Sequence, residues 1–173
     1  MASEKVIRGD DPDHAALLHG GKFLTFSLGG EEYGLEILKV QEIIGFMPIT
    51  SVPKTPVYVR GIINLRGKVI PIVDLRTKFG MEAAENTEET CIIVVQANGN
   101  EMGIIVDRVS EVLHIRDEEI DEAPSMGTDV ETGYLLGIGK CEGSVRLLLD
   151  IDRVLSSDGV LENFTDTTTK AAA

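Results

Sequence analysis

Side chains able to do chemistry are few in this sequence, and their spacing argues against a catalytic centre. Of the three histidines, His14, His19 and His114, only His114 lies in a stretch patterned to fold, so no second imidazole stands beside it as base or ligand. His14 with Asp10, Asp11 and Asp13 has metal-binding residue types but sits in a charged N-terminal stretch without fixed ligand spacing. Cys91 and Cys141 each fall inside an apolar run with no activating partner nearby, and read as buried thiols of a reducing compartment. Gly137-Ile138-Gly139-Lys140-Cys141-Glu142-Gly143 has the look of a phosphate loop. Its third glycine is one residue late for a dinucleotide fingerprint, however, and Lys140 is not followed by Ser or Thr, so a turn between strands accounts for it better. No two carboxylates are placed across a cleft by spacing alone. The expectation is a protein without catalytic residues, metal or cofactor, whose work is binding.

Charge and composition narrow the partners. Lys and Arg number 16 against 29 Asp and Glu, a net charge of −13, so the surface repels phosphate backbones and nucleic acid is not an expected partner. Hydrophobic residues make up 43% of the chain but aromatics only 5%, with no Trp, which calls for a core of Ile, Val and Leu and therefore favours strands. The first residues lack an apolar h-region and no apolar run approaches bilayer length, so a cytoplasmic protein without membrane insertion is expected.

The elements that must position any binding surface are hairpins. Leu24, Phe26 and Leu28 alternate on one face, Gly29-Gly30 turns, and Tyr33, Leu35 and Ile37 return on the same face. Pro48, Pro53 and Pro56 then break the chain into a loop. Two apolar runs, Ile62 to Leu65 and Val69 to Val73, flank Arg66-Gly67-Lys68. Asp74 is placed to cap a short helical turn that Gly80 ends, and Pro71 asks for an edge or a bulge. Later, Asn98-Gly99 is the strongest turn signal in the chain.

These segments recur. Gly61, Ile62, Gly67, Val69 and Asp74 are matched at one constant separation by Gly137, Ile138, Gly143, Val145 and Asp150. Gly34, Val40, Glu42 and Ile43 are matched at a second by Gly103, Val109, Glu111 and Val112. The pattern predicts a duplicated β unit: a flexible arm over 1–21, a first subdomain over about 22–80, an acidic connection over 81–90, a second subdomain over about 91–155 and a flexible tail over 156–173.

Val40-Gln41-Glu42-Ile43, Gly61-Ile62-Ile63-Asn64-Leu65-Arg66-Gly67 and Ile70-Pro71-Ile72-Val73-Asp74-Leu75-Arg76 together closely resemble the CheW family of bacterial chemotaxis coupling proteins, over about residues 22–155. The resemblance implies an all-β fold of two packed five-stranded SH3-like β-barrel subdomains with short helices. It implies a non-catalytic adaptor that couples methyl-accepting chemotaxis receptors to the regulatory domain of the CheA histidine kinase, at membrane chemoreceptor arrays. Carried over by position, receptor binding falls on Val40, Glu42, Gly61 and Arg66. The kinase-facing surface falls mainly on the second barrel, with a further array or kinase contact near Met126. Physically, Arg66 sits at a hairpin tip where its guanidinium can fork to a carboxylate, with Glu42 as candidate partner, while Val40 reads equally as core or interface. A sensor binding a small molecule in the groove between the barrels is the alternative.

Overall fold

Four dipeptides shape the chain. Gly29-Gly30, Arg66-Gly67, Asn98-Gly99 and Glu142-Gly143 all adopt positive φ, from 52° to 88°, in both positions. Two consecutive left-handed residues make the reversal whose twist matches that of the flanking strands, so each dipeptide closes a two-residue hairpin. The computed structural model describes residues 20–122 and 133–156. The hairpins are β1 (Gly21–Leu28) with β2 (Glu31–Glu36), β4 (Val59–Leu65) with β5 (Lys68–Asp74), β6 (Cys91–Ala97) with β7 (Asn100–Val106), and β10 (Leu135–Cys141) with β11 (Ser144–Leu149). Single strands β3 (Val40–Gly45), β8 (Arg108–Ile115) and the two-residue β9 (Ile120–Asp121) complete the set. Short helices α1 (Leu75–Lys78) and α2 (Ile151–Ser156) follow β5 and β11.

The strands form two sheets, in the orders β8-β1-β2-β11-β10-β9 and β3-β6-β7-β5-β4. These are the two SH3-like barrels; the first has six strands because β9 is counted. The duplication is visible in the pairing. Parallel contacts join β5 to β7 in one sheet and β11 to β2 in the other. Matching bulges interrupt β4 before Gly61 and β10 before Gly137.

The division at 81–90 is corrected by this topology. β1 and β2 belong to the sheet of β8–β11, while β6 and β7 belong to the sheet of β3–β5, so the two copies exchange hairpins. The chain runs through one barrel, then all of the other over β3–β7, and returns. Pro71 is also not at a sheet edge, since β5 lies between β4 and β7. Ile62 exchanges both its backbone hydrogen bonds with Thr50, so its pairing with Pro71 is a non-hydrogen-bonded one. The Pro71 nitrogen therefore faces the β7 side, where the ladder begins only at Ile72, and no donor is missed.

Hydrophobic side chains gather in three places. Phe23, Leu113, Ile115 and Leu148 fill one barrel, and Ile63, Ile70, Ile72, Ile92 and Val94 fill the other. The largest cluster, with Phe26, Leu35, Val73, Ile93, Ile104 and Leu149, lies between the sheets. Strands such as β1 are consequently buried on both faces, Phe23 into a barrel and Leu24 into the interface. Each fully buried Leu, Ile or Phe contributes about 1.5–3 kcal/mol, so the interface binds the barrels as firmly as either core binds itself. Stacked rings of Phe26, Tyr33 and Phe79, with Tyr134 tilted against Phe79, continue the interface, with Lys78 Nζ 4.0 Å from the Tyr58 ring centre.

Polar contacts hold the two places where the chain changes barrel. At Asp107, between β7 and β8, the carboxylate takes a bidentate Arg76 guanidinium at 2.9 and 2.7 Å and the Gly29 N–H at 2.9 Å. At Ile37–Lys39, between β2 and β3, Lys39 Nζ donates to Asp152 at 2.8 Å, and Asp152 also accepts the Asn98 N–H at 2.9 Å. The hydrogen bond from Arg76 holds the Asp107 carboxyl below its ordinary value of 3.8. Because the folded-state pKa is the lower one, the contribution of Asp107 is complete above its unfolded value and disappears as pH falls through the folded one. Urea midpoints taken from about pH 5 to pH 2 will fall more steeply for the parent than for Asp107→Asn; equal slopes would contradict this.

Candidate functional site

The Asn64-Leu65-Arg66-Gly67 segment is built to present one side chain. Asn64 Oδ1 accepts the Gly67 N–H at 2.8 Å, tying the turn across its own mouth, and this leaves Arg66 at the tip with φ of 55°. From there the guanidinium forms an ion pair with Glu42 on β3. β3 and β4 are the two outer strands of their sheet, so a contact from the β4–β5 turn to β3 shows the sheet curled until its edges meet. The Arg66 side chain is 68% exposed and Glu42 32%, so the pair adds at most about 1 kcal/mol to stability. Its effect is to hold a charged group in a set place on the surface.

An apolar row reaches the other face of the same strand, β3. Val73, Ile104, Ile93 and Ile43 lie side by side across β5, β7, β6 and β3. The first three are buried between the barrels, and Ile43 is 45% exposed at the edge. Val40, which sequence left between core and interface, is half-buried and packs on the inter-barrel cluster. Glu42 and Ile43 are successive residues of β3 and point to opposite faces, beside Val94 of the barrel core and Ile93 of the inter-barrel cluster, so the candidate surface is the edge of β3, with the Glu42–Arg66 pair on one side and Ile43 on the other. Ile43 shares the apolar rhythm of β3, and only the edge position of that strand leaves it uncovered.

Gly61 has a different role from the charged pair. It is buried, with φ of 143°, and an added Cβ would lie 2.0 Å from the Thr50 carbonyl oxygen. The loop after β3 docks there: Thr50 and Ile62 exchange hydrogen bonds of 2.9 and 2.8 Å. Phe46, Met47 and Ile49 from this loop cover the barrel core. Gly61 therefore positions the loop beside the site and offers a partner no side chain of its own.

The second shared segment, ending in Asp74-Leu75-Arg76, is also explained by local bonding. Asp74 caps α1 through the Arg76 N–H at 3.0 Å and takes Arg60 Nη1 at 2.8 Å. Arg76 in turn holds Asp107. Gly137 to Gly143 forms β10 and its turn, as a strand reading requires. Cys91 is half-buried and Cys141 buried, both unbridged, and burial pushes the Cys91 thiol up. Met126 lies outside the described residues, as does most of the N-terminal arm. Among the described residues no group of His, Cys, Asp and Glu could hold a metal, and no helix is long and apolar enough to cross a membrane.

The comparisons with known proteins agree with one another. The CheW-like domain family matches residues 22–159. The chain is 43% identical over 139 residues to the chemotaxis protein CheW of Klebsiella aerogenes, covering 80% of this chain and 84% of that one. It is 39% identical over 143 residues to the CheW protein of Rhizobium meliloti, covering 82% and 92%. Among solved structures, the scaffolding protein TtCheW of Thermoanaerobacter tengcongensis superposes with a TM-score of 0.75 at 36% identity, over 81% of this chain and 95% of that one.

Proposed function

Since this chain belongs to the CheW-like family, we propose that it is a non-catalytic chemotaxis adaptor that couples methyl-accepting receptors to the CheA histidine kinase. The observation that carries this reading is the family match across almost all the described residues, reinforced by the likeness to a solved scaffolding protein. It works on the cytoplasmic side of receptor arrays, reaching the membrane only through the receptors it binds.

The receptor face is the surface around Glu42 and Arg66, with Val40 and Gly61 supporting it from beneath. A receptor tip built as a helical hairpin would lay an apolar side chain against Ile43 and set its charged residues against the Glu42–Arg66 pair. The kinase contact lies mainly on the six-stranded barrel, the one that holds β8–β11, and Met126 is a further array or kinase contact. Because arrays repeat each contact many times, moderate affinity at each face is sufficient. No observation favours the small-molecule sensor, for the space between the barrels holds the packed side chains of the largest cluster.

Calorimetric titration of the full chain with a receptor signalling fragment and with the CheA regulatory domain tests the reading. Both should bind, each without displacing the other. Failure of both to bind would overturn it.

A further inference from the structure

Among the described residues the chain passes between barrels only twice, at Ile37–Lys39 and at Asp107, and an ion pair sits at each passage. The two passages are equivalent by duplication, since Leu38 and Lys39 match Asp107 and Arg108 at the separation that relates Val40 to Val109. The partners are equivalent too. Arg76 stands two residues after Asp74 and Asp152 two after Asp150, both in the short helix that follows the matched hairpin, β4–β5 in one barrel and β10–β11 in the other.

At each passage one carboxylate binds three elements together. Asp107, at the passage itself, holds Arg76 of α1, from the five-stranded barrel, and the N–H of Gly29 in the β1–β2 turn of the other barrel. Asp152 of α2, from the six-stranded barrel, holds Lys39 at the passage and the N–H of Asn98 in the β6–β7 turn of the other barrel. Asn98 Nδ2 adds a bond to the Asp152 carbonyl at 2.9 Å. The bridge is the same in both places, but its polarity is reversed: the helix supplies the cation at one and the anion at the other. Charge-assisted bonds, one of them bidentate, are the strong and directional kind.

We infer that Arg76–Asp107 and Lys39–Asp152 are paired clamps that lock the angle between the barrels, so that the two barrels move as one rigid body. The apolar interface supplies the attraction, but a surface of Leu, Ile and Val tolerates small rotations because its contacts are non-directional. Hydrogen bonds that join a helix of one barrel to a hairpin turn of the other, through Asp107 at one passage and directly to Asp152 at the other, do not tolerate them. Each clamp sits where the chain itself would act as a hinge, and so removes the freedom that two single-chain passages would otherwise leave.

The test compares the full-length parent with the Asp107→Asn/Asp152→Asn double variant by residual dipolar couplings and amide exchange. The parent should fit a single alignment tensor across both barrels. In the double variant each barrel should fit its own tensor with unchanged strand shifts, and exchange at the Gly29 and Asn98 amides should rise about tenfold or more. The charge-swapped variant Arg76→Asp/Asp107→Arg keeps an ion pair at the first passage. Combined with Asp152→Asn, it should leave two tensors, because the substituted guanidinium has no acceptor for the Gly29 N–H that ties the first passage to the other barrel; a shared tensor there would overturn the inference. One tensor in the double variant would overturn the inference, as would two tensors in the parent. Should the double variant not fold, the single variants Asp107→Asn and Asp152→Asn decide it by the same couplings and by exchange at the amide whose acceptor is changed; unchanged exchange and one tensor in both would sink it.

Discussion

Replacing Gly61 by Ala will unfold the protein or lower its stability by at least about 3 kcal/mol, the largest effect expected of any change that adds a single methyl group. A Cβ at this position meets the Thr50 carbonyl oxygen at 2.0 Å and its carbon at 2.7 Å, and both are backbone atoms that no rotamer change can move away. The φ of 143° is itself costly for an L side chain. Relief requires the loop to lift from β4, which breaks both Thr50–Ile62 hydrogen bonds and uncovers the core beneath Phe46, Met47 and Ile49. Gly45 is the control, since a Cβ there meets nothing within 4 Å, and Gly45→Ala should change stability by under about 0.5 kcal/mol. Urea unfolding of the two variants measures the contrast; equal stabilities would refute the steric account. Loss of receptor binding in Gly61→Ala then follows from the displaced loop rather than from a lost contact.

Arg66→Glu should act in the opposite way, weakening receptor-fragment binding by about 100-fold while moving stability by no more than about 1 kcal/mol. The exposed pair contributes little to folding, but reversal leaves two carboxylates, at 42 and 66, where the proposed receptor face now offers a cation beside an anion. Kinase-domain affinity should stay within about twofold, since the surface proposed for the kinase lies mainly on the other barrel. The doubly reversed Glu42→Arg/Arg66→Glu restores the pair with its direction exchanged. If the pair only stiffens the surface, binding returns; if the guanidinium itself meets the receptor, binding stays lost. Unchanged receptor binding in Arg66→Glu would remove this surface as the receptor face.

The features behind these two effects are unequally legible in the sequence. The turn at Arg66-Gly67, the cap at Asp74 and the pairing of Arg66 with Glu42 could be read from residue types, because a turn or a cap is decided by a few neighbouring residues and a candidate charge pair by sign and resemblance. The duplication was legible for the same reason: matched glycines mark matched turns. The role of Gly61 was not, since nothing near it in sequence announces that Thr50 will lie against it. Nor were Asp107 and Asp152 distinguishable from the many other surface carboxylates.

Local patterning by itself therefore determined the hairpins, their turns, the preference for strands and the two copies, because alternation and turn chemistry are short-range properties, while the all-β class came with the family resemblance. Partner choice was beyond it. The β1–β2 and β6–β7 hairpins are copies of one pattern and present the same apolar face and turn, so nothing in either says which sheet it will join. Only the closed structure decides that, through the parallel pairings β2–β11 and β5–β7, the fit of Gly34 and Gly103 against Leu148 and Ile72, and the carboxylates at the two passages between barrels.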